Sequence, residues 1–163
     1  MTFESVRLEV NGVVYERVVE PRRTLCDFIR EDLELTGTHI GCEHGVCGSC
    51  TVLLEGEPVR SCLLFAVQVP GASITTIEGL TGPGGALGPL QQAMWDNHGF
   101  QCGFCTPGFL TTITALLREG DVSEETLREE LSGNLCRCTG YQSIIQGVLD
   151  AARASGPDTE TSR

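Results

Sequence analysis

With 163 residues, the chain is long enough to bury a core as one ordinary domain or as two small ones. Its 22 acidic and 11 basic side chains leave a formal net charge of -11, and such a field repels phosphate, which excludes nucleic acid and anionic membranes and favours a protein partner. The first residues, MTFESVRLEV, lack a basic end followed by an apolar block, and no apolar run approaches the roughly 18 residues of a membrane span, so a cytoplasmic chain is expected.

In chain order, VRLEV and VVYERVVE alternate around Asn11-Gly12, a hairpin signal. RTLCDFIREDLEL then sets Leu25, Phe28, Ile29 and Leu33 at helical spacing, which makes Cys26 beside them a packing or solvent-facing residue. CTVLLEGEPVRSC reads as two strands around EGEP, with Cys50 entering one and Cys62 following the other, and ASITTIEGL as a last strand. A small mixed sheet with one crossing helix is expected, carrying a cysteine loop at its rim. TGPGGALGP is rich in glycine and proline and reads as a linker. Beyond it the period becomes helical, over about 88 to 98, 107 to 119, 123 to 132 and 140 to 153. Ser123 starts the third of these, with Glu124 and Glu125 in its first turn. Leu110, Ile113, Leu116, Leu117, Leu127, Leu131, Ile144, Ile145 and Leu149 form the expected helical core. The expected organisation is α+β: a sheet domain over 1–80, a linker over 81–88, a helical domain over 89–154 and a disordered tail over 155–163.

The nine cysteines cannot all pair internally, and a reducing compartment disfavours disulfides. With Cys26 set aside, the rest form two groups of four. Cys42, Cys47, Cys50 and Cys62 follow C-x4-C-x2-C-x11-C, the plant-type ferredoxin spacing for a 2Fe-2S cluster. A zinc site more often uses paired C-x2-C knuckles or histidines. Gly41, Gly45 and Gly48 are expected to let the chain reach positive φ and pass close to the cluster without a side chain in the way, so that backbone N–H groups face the sulfurs. His44 reads as a loop residue, since four cysteines already close the set, and His98 as the end of a helix before Gly99.

The second group is Cys102, Cys105, Cys136 and Cys138, a C-x2-C followed by a C-x-C, and its spacing alone is open between zinc and an iron-sulfur cluster. Thr106 is the expected N-cap of a helix with Pro107 in its first position, and Thr139 with Gln142 has the pattern of a capping box. Two helix N-termini would then converge on one metal centre, their dipoles favouring thiolates.

GCEHGVCGSC with Cys62, QCGFCTPG and NLCRCTGY, in that order, closely resemble the small iron-sulfur subunit of the molybdenum hydroxylases, the xanthine oxidase and aldehyde oxidase family. The likeness spans about residues 3 to 154. It implies an N-terminal plant-ferredoxin-like β-grasp domain and a C-terminal all-α four-helix domain, each with one 2Fe-2S cluster, and so decides the second group in favour of a cluster. It also implies a non-catalytic electron-transfer subunit. A large subunit would hold the molybdopterin cofactor and a medium subunit FAD, in a heterotrimer or a dimer of heterotrimers. The Cys102, Cys105, Cys136 and Cys138 centre would face molybdenum, and the Cys42, Cys47, Cys50 and Cys62 centre the flavin. Gln101 and Cys138 match family positions that approach the pterin. The first loop looks more like subunits acting on N-heteroaromatics, aldehydes or aromatic thioesters than like carbon monoxide dehydrogenase small subunits. No serine, histidine and acid constellation suggests a catalytic site on this chain. A free-standing ferredoxin-like carrier is the alternative reading.

Overall fold

The computed structural model describes residues 2–120 and 122–154, so the expected disordered tail, 155–163, lies outside the described residues. Strands β1 (Glu4–Val10) and β2 (Val13–Val19) pair antiparallel with Val10 opposite Val13. Their two-residue turn puts Asn11 at φ 54° and Gly12 at φ 78°, the left-handed pair that matches strand twist. β3 (Thr51–Leu54) and β4 (Glu57–Arg60) form a second hairpin whose turn is Glu55-Gly56 alone, tighter than the EGEP expected. Pro58 therefore lies inside β4, where an edge strand tolerates its missing N–H. β5 (Ser73–Thr75) is short but central: the sheet order is β2-β1-β5-β3-β4, with β5 parallel to β1 and antiparallel to β3.

Thr24 caps α1 (Leu25–Asp27) by accepting from the Asp27 N–H at 3.0 Å, and the helix widens into a π turn over Phe28–Asp32. Leu25, Phe28 and Ile29 are fully buried against Val6, Leu8, Val10, Val52 and Ile74 of the sheet. Cys26, also buried, proves to be packing and not solvent-facing.

A second core joins α2 (Pro89–Asp96), α3 (Thr106–Glu119), α4 (Glu124–Glu130) and α5 (Gln142–Ala154). Leu110, Ile113, Leu127, Leu131, Ile144 and Ile145 are buried in it as the helical spacing predicts, while Leu116, Leu117 and Leu149 are only partly buried. Phe109, Met94 and Val148 complete the core. Ser123 caps α4 as expected, accepting from the Thr126 N–H at 3.1 Å.

Three helix ends differ from the sequence expectation. Helix α3 begins one residue early, with Cys105 as its N-cap, and the Thr106 hydroxyl is buried without a hydrogen-bond partner among the described residues. Helix α5 begins at Gln142 after Tyr141, which sits at φ 72°. No capping box forms there, because the Thr139 hydroxyl donates to Cys136 Sγ and accepts from the Tyr141 N–H. At the end of α2, His98 itself takes the left-handed position at φ 50°. The His98 and Gly99 N–H groups return to Trp95 O at 3.1 Å and Met94 O at 2.8 Å, closing a Schellman-type end.

The two cores meet where α3 crosses β3 and the first cysteine loop. A β-carbon on Gly108 would fall 2.1 Å from Gly48 O, so glycine there permits backbone contact. The contact is fastened by Arg60, which donates to Gly133 O at 2.7 Å, and by buried Asn134, which donates to Gly48 O at 3.4 Å and accepts from Thr112 Oγ1 at 3.3 Å. The fold is thus mixed α/β: a five-stranded sheet of ferredoxin-like type followed by a helical part. Among the described residues no helix is long and apolar enough to cross a membrane.

Candidate metal centres

The loop 41–50 wraps around sulfur because its backbone repeatedly turns left-handed, at Glu43 (φ 57°), Gly45 (φ 84°) and Gly48 (φ 76°). Gly41 is not among these positions, and of the two roles expected of the loop glycines it takes only the second. Its role is close approach, since a β-carbon there would lie 3.0 Å from Cys47 Sγ. The Cys47 N–H donates to Cys42 Sγ at 3.4 Å, and with the backbone at His44 and Val46 it brings the Cys42 thiol down to about 6. His44 Nδ1 bonds the Cys42 carbonyl, the loop role expected of it. Hairpin β3–β4 brings in the other two cysteines: the Ser61 hydroxyl donates to Cys50 O at 2.7 Å and anchors the turn that carries Cys62. Burial above all pushes the Cys62 thiol up to about 12, and the neighbouring Cys50 and the charge of Cys42 add to the shift.

The second group is assembled from two chain segments. Cys102 and Cys138 lie with their sulfurs 3.7 Å apart. Two thiolates on one tetrahedral metal with bonds of about 2.3 Å would be about 3.8 Å apart. Cys105 and Cys136 line the same cleft next to them. Burial pushes the Cys105 thiol up to about 12. Burial also pushes Cys136 up, but donors led by the Thr139 hydroxyl at 3.2 Å outweigh it, and the net shift is downward. Exposed Cys138 is raised by its hydrogen bond to Cys102. The Cys136 N–H donates to the Tyr141 hydroxyl at 3.0 Å, which holds this turn against α5.

The second set lines one cleft with all four of its cysteines, and in the first set Cys42 lies against Cys47 and near Cys62, which neighbours Cys50. Among the described residues no three such side chains close on the single point that one metal ion requires. Gathered thiols with N–H and O–H donors aimed at sulfur suit an anionic iron-sulfur group, whose negative charge needs those donors. Gln101 is exposed beside the second set, its side chain donating to Cys138 O at 3.2 Å, so these two predicted residues are neighbours.

A cleft of about 270 Å³ is lined by Cys47 from the first set and by all four cysteines of the second. The Leu135 N–H, one residue before Cys136, donates to Cys47 O at 2.9 Å across the boundary between the groups. Sequence reasoning missed Leu135 and also His39, which donates to Phe104 O at 2.7 Å and stacks on the Phe104 ring at 5.0 Å. Neither belongs to a motif of its own, and only proximity to a cysteine pattern could have flagged them.

Cys26 stands apart. Burial raises its thiol to about 11, so it stays protonated and unreactive near neutral pH. Cys26→Ser is expected to leave the iron content unchanged, and iron analysis of the purified variant checks this; a fall in iron would put Cys26 among the ligands.

Two domain families match the chain: the 2Fe-2S iron-sulfur cluster binding domain over residues 8–72 and the 2Fe-2S binding domain over residues 76–149. The chain is 52% identical over 167 residues to the caffeine dehydrogenase subunit gamma of Pseudomonas sp. (strain CBB1), covering 100% of this chain and 97% of the relative. It is 55% identical over 146 residues to the 6-hydroxypseudooxynicotine dehydrogenase complex subunit beta of Paenarthrobacter nicotinovorans, covering 88% of this chain and 91% of that one. The solved structure of quinoline 2-oxidoreductase from Pseudomonas putida 86 superposes with a TM-score of 0.89 at 48% identity, over 93% of this chain and 95% of the matched chain. Two 2Fe-2S binding domains in series and relatives matched over nearly their full length place this protein: it belongs to the family of small iron-sulfur subunits of the molybdenum hydroxylases, the electron-transfer component of those oxidoreductase complexes.

Proposed function

We propose that this chain carries electrons one at a time from a molybdopterin centre on a large subunit to FAD on a medium subunit, within a cytoplasmic heterotrimer or dimer of heterotrimers. In this reading residues 1–80 form the β-grasp domain, 81–88 the linker and 89–154 a four-helix domain. Cys42, Cys47, Cys50 and Cys62 hold one 2Fe-2S cluster, and Cys102, Cys105, Cys136 and Cys138 the other. A 2Fe-2S cluster, when bound, supplies a one-electron carrier. The protein's part is to hold the thiolates, aim N–H and O–H donors at them, and set the distance between the two centres.

The observation that carries the proposal is the shared cleft, where Cys47 faces the second set of cysteines and the Leu135 N–H bonds the Cys47 carbonyl at 2.9 Å. That bond gives a short route between the centres, from Cys47 through Leu135 to Cys136. The exposed edge formed by Gln101, Cys102 and Cys138 suits the approach of the pterin, with the Gln101 amide and the Cys138 backbone as its contacts. Val46 and Leu63, exposed beside the first loop, suit the medium subunit.

The Cys102 and Cys138 sulfurs, 3.7 Å apart, would share one iron, which would leave Cys105 and Cys136 for the other. The substrate class proposed for the complex is N-heteroaromatic, supported by relatives whose names carry caffeine, 6-hydroxypseudooxynicotine and quinoline.

The test is elemental and flavin analysis of the natively purified chain with everything that co-elutes. About four irons per chain, with molybdenum and FAD on larger co-eluting chains, is the expected result. The same iron on a solitary chain without molybdenum would overturn the relay in favour of an independent carrier. Turnover of carbon monoxide but not of N-heteroaromatics would overturn the substrate class.

A further inference from the structure

All 11 basic residues of this acidic chain are arginines, and most of those in the described residues are committed. Arg22, Arg23, Arg128 and Arg153 pair with carboxylates, and Arg17, Arg30 and Arg60 donate to carbonyls. Arg7, Arg118 and Arg137 make no side-chain hydrogen bond or ion pair among the described residues, and of these Arg137 alone lies beside cysteines, between Cys136 and Cys138. It also lines the cleft shared by Cys47 and the second cysteine set, and it is the only charged side chain, among the described residues, on that wall.

We infer that Arg137 sets the reduction potential of the second centre, acting as the counter-charge that makes its reduced form easier to reach. This rests on the reading above that Cys136 and Cys138 are ligands of that centre. A four-thiolate 2Fe-2S centre is already anionic and gains one more negative charge when it accepts an electron, so a cation beside it stabilises the reduced form more than the oxidised one. A carboxylate partner would cancel that effect. In a chain where acids outnumber bases two to one, this wall carries no acid among the described residues. The guanidinium is exposed, so water and salt screen it in the isolated chain, and a partner subunit closing over the cleft would strengthen its field. The result is a second centre poised to draw electrons inward from the side where Gln101 and Cys138 are exposed.

The test is a redox titration followed by electron paramagnetic resonance on the complex as purified with its partner subunits, for the wild type, Arg137→Gln and Arg137→Lys. Arg137→Gln is expected to lower the midpoint potential of the second centre and leave the first unshifted, while Arg137→Lys, which keeps the charge, stays near the wild type. An unmoved potential in Arg137→Gln overturns the inference, as does an equal shift in both variants. Should Arg137→Gln lose the iron of the second centre while Arg137→Lys keeps it, the demand for charge is upheld; loss in both variants marks a structural role and overturns it. A wild type with one paramagnetic species in place of two defeats the ligand reading itself, whereas two species with neither moved defeats only the role of Arg137.

Discussion

Cys42→Ser is expected to abolish one of two paramagnetic iron species, halve the iron content and stop electron delivery to the flavin acceptor, while the other species survives. The first loop holds the Cys42 sulfur with N–H groups, and that environment brings the thiol down to about 6. A serine hydroxyl in the same place has no comparable access to its anion and is a poor ligand for iron. The surviving centre is built from a different part of the chain. Its cysteines sit at the starts of α3 and α5, over a core of Phe109, Ile113, Ile144 and Val148 that draws nothing from the loop 41–50. Some change in the line shape of that second species is expected, because the Leu135 N–H would lose a well-placed Cys47 carbonyl. Spectroscopy of the reduced variant checks the result, and loss of both species would refute independent centres.

Gly108→Ala is expected to destabilise the chain by about 3 kcal/mol, near the upper end for overpacking, because nothing at this contact can yield cheaply. The added carbon would meet Gly48 O at 2.1 Å, Gly48 C at 2.9 Å and Ser49 Cα at 3.1 Å, all of them backbone. Relief requires α3 to move away from the stretch between Cys47 and Cys50, which pulls on two cysteines of the first set and on the bonds that Asn134 makes beneath it. For a chain of this size such a loss lowers the melting temperature by about 6–12 °C, together with weaker retention of iron at the first centre. Alanine ordinarily favours a helix over glycine, so thermal unfolding gives a result of opposite sign if the contact is loose: a stabilised Gly108→Ala would show that α3 does not rest on the loop.

Much of the fold was legible because the signals are local. The Asn11-Gly12 turn, the alternation of β1, the Leu25, Phe28 and Ile29 stripe and the Ser123 cap each depend on residues within a few positions of one another. The errors were local too, and they lie beside the cysteines. Thr139 looks like a helix cap until its hydroxyl is seen to serve the Cys136 sulfur, and Thr106 looks like one until Cys105 is found in the capping position. In both cases a cysteine took the place of an ordinary capping interaction, as the partner of the Thr139 hydroxyl or as the capping residue itself.

By itself the sequence divided eight cysteines into two groups of four, since spacing along a loop is a covalent property: C-x4-C-x2-C can close on a cluster only if the intervening backbone turns as these glycines allow. It also determined the family, through three motifs in order. Only the tertiary structure decided how the two sets stand to each other. The Leu135 bond to Cys47, the seat of Gly108 on Gly48 and the cleft that gathers Cys47, Arg137 and the second set join residues far apart in the chain. Such contacts leave no periodic trace, because they arise from the packing of whole helices and loops and not from the preferences of neighbouring residues.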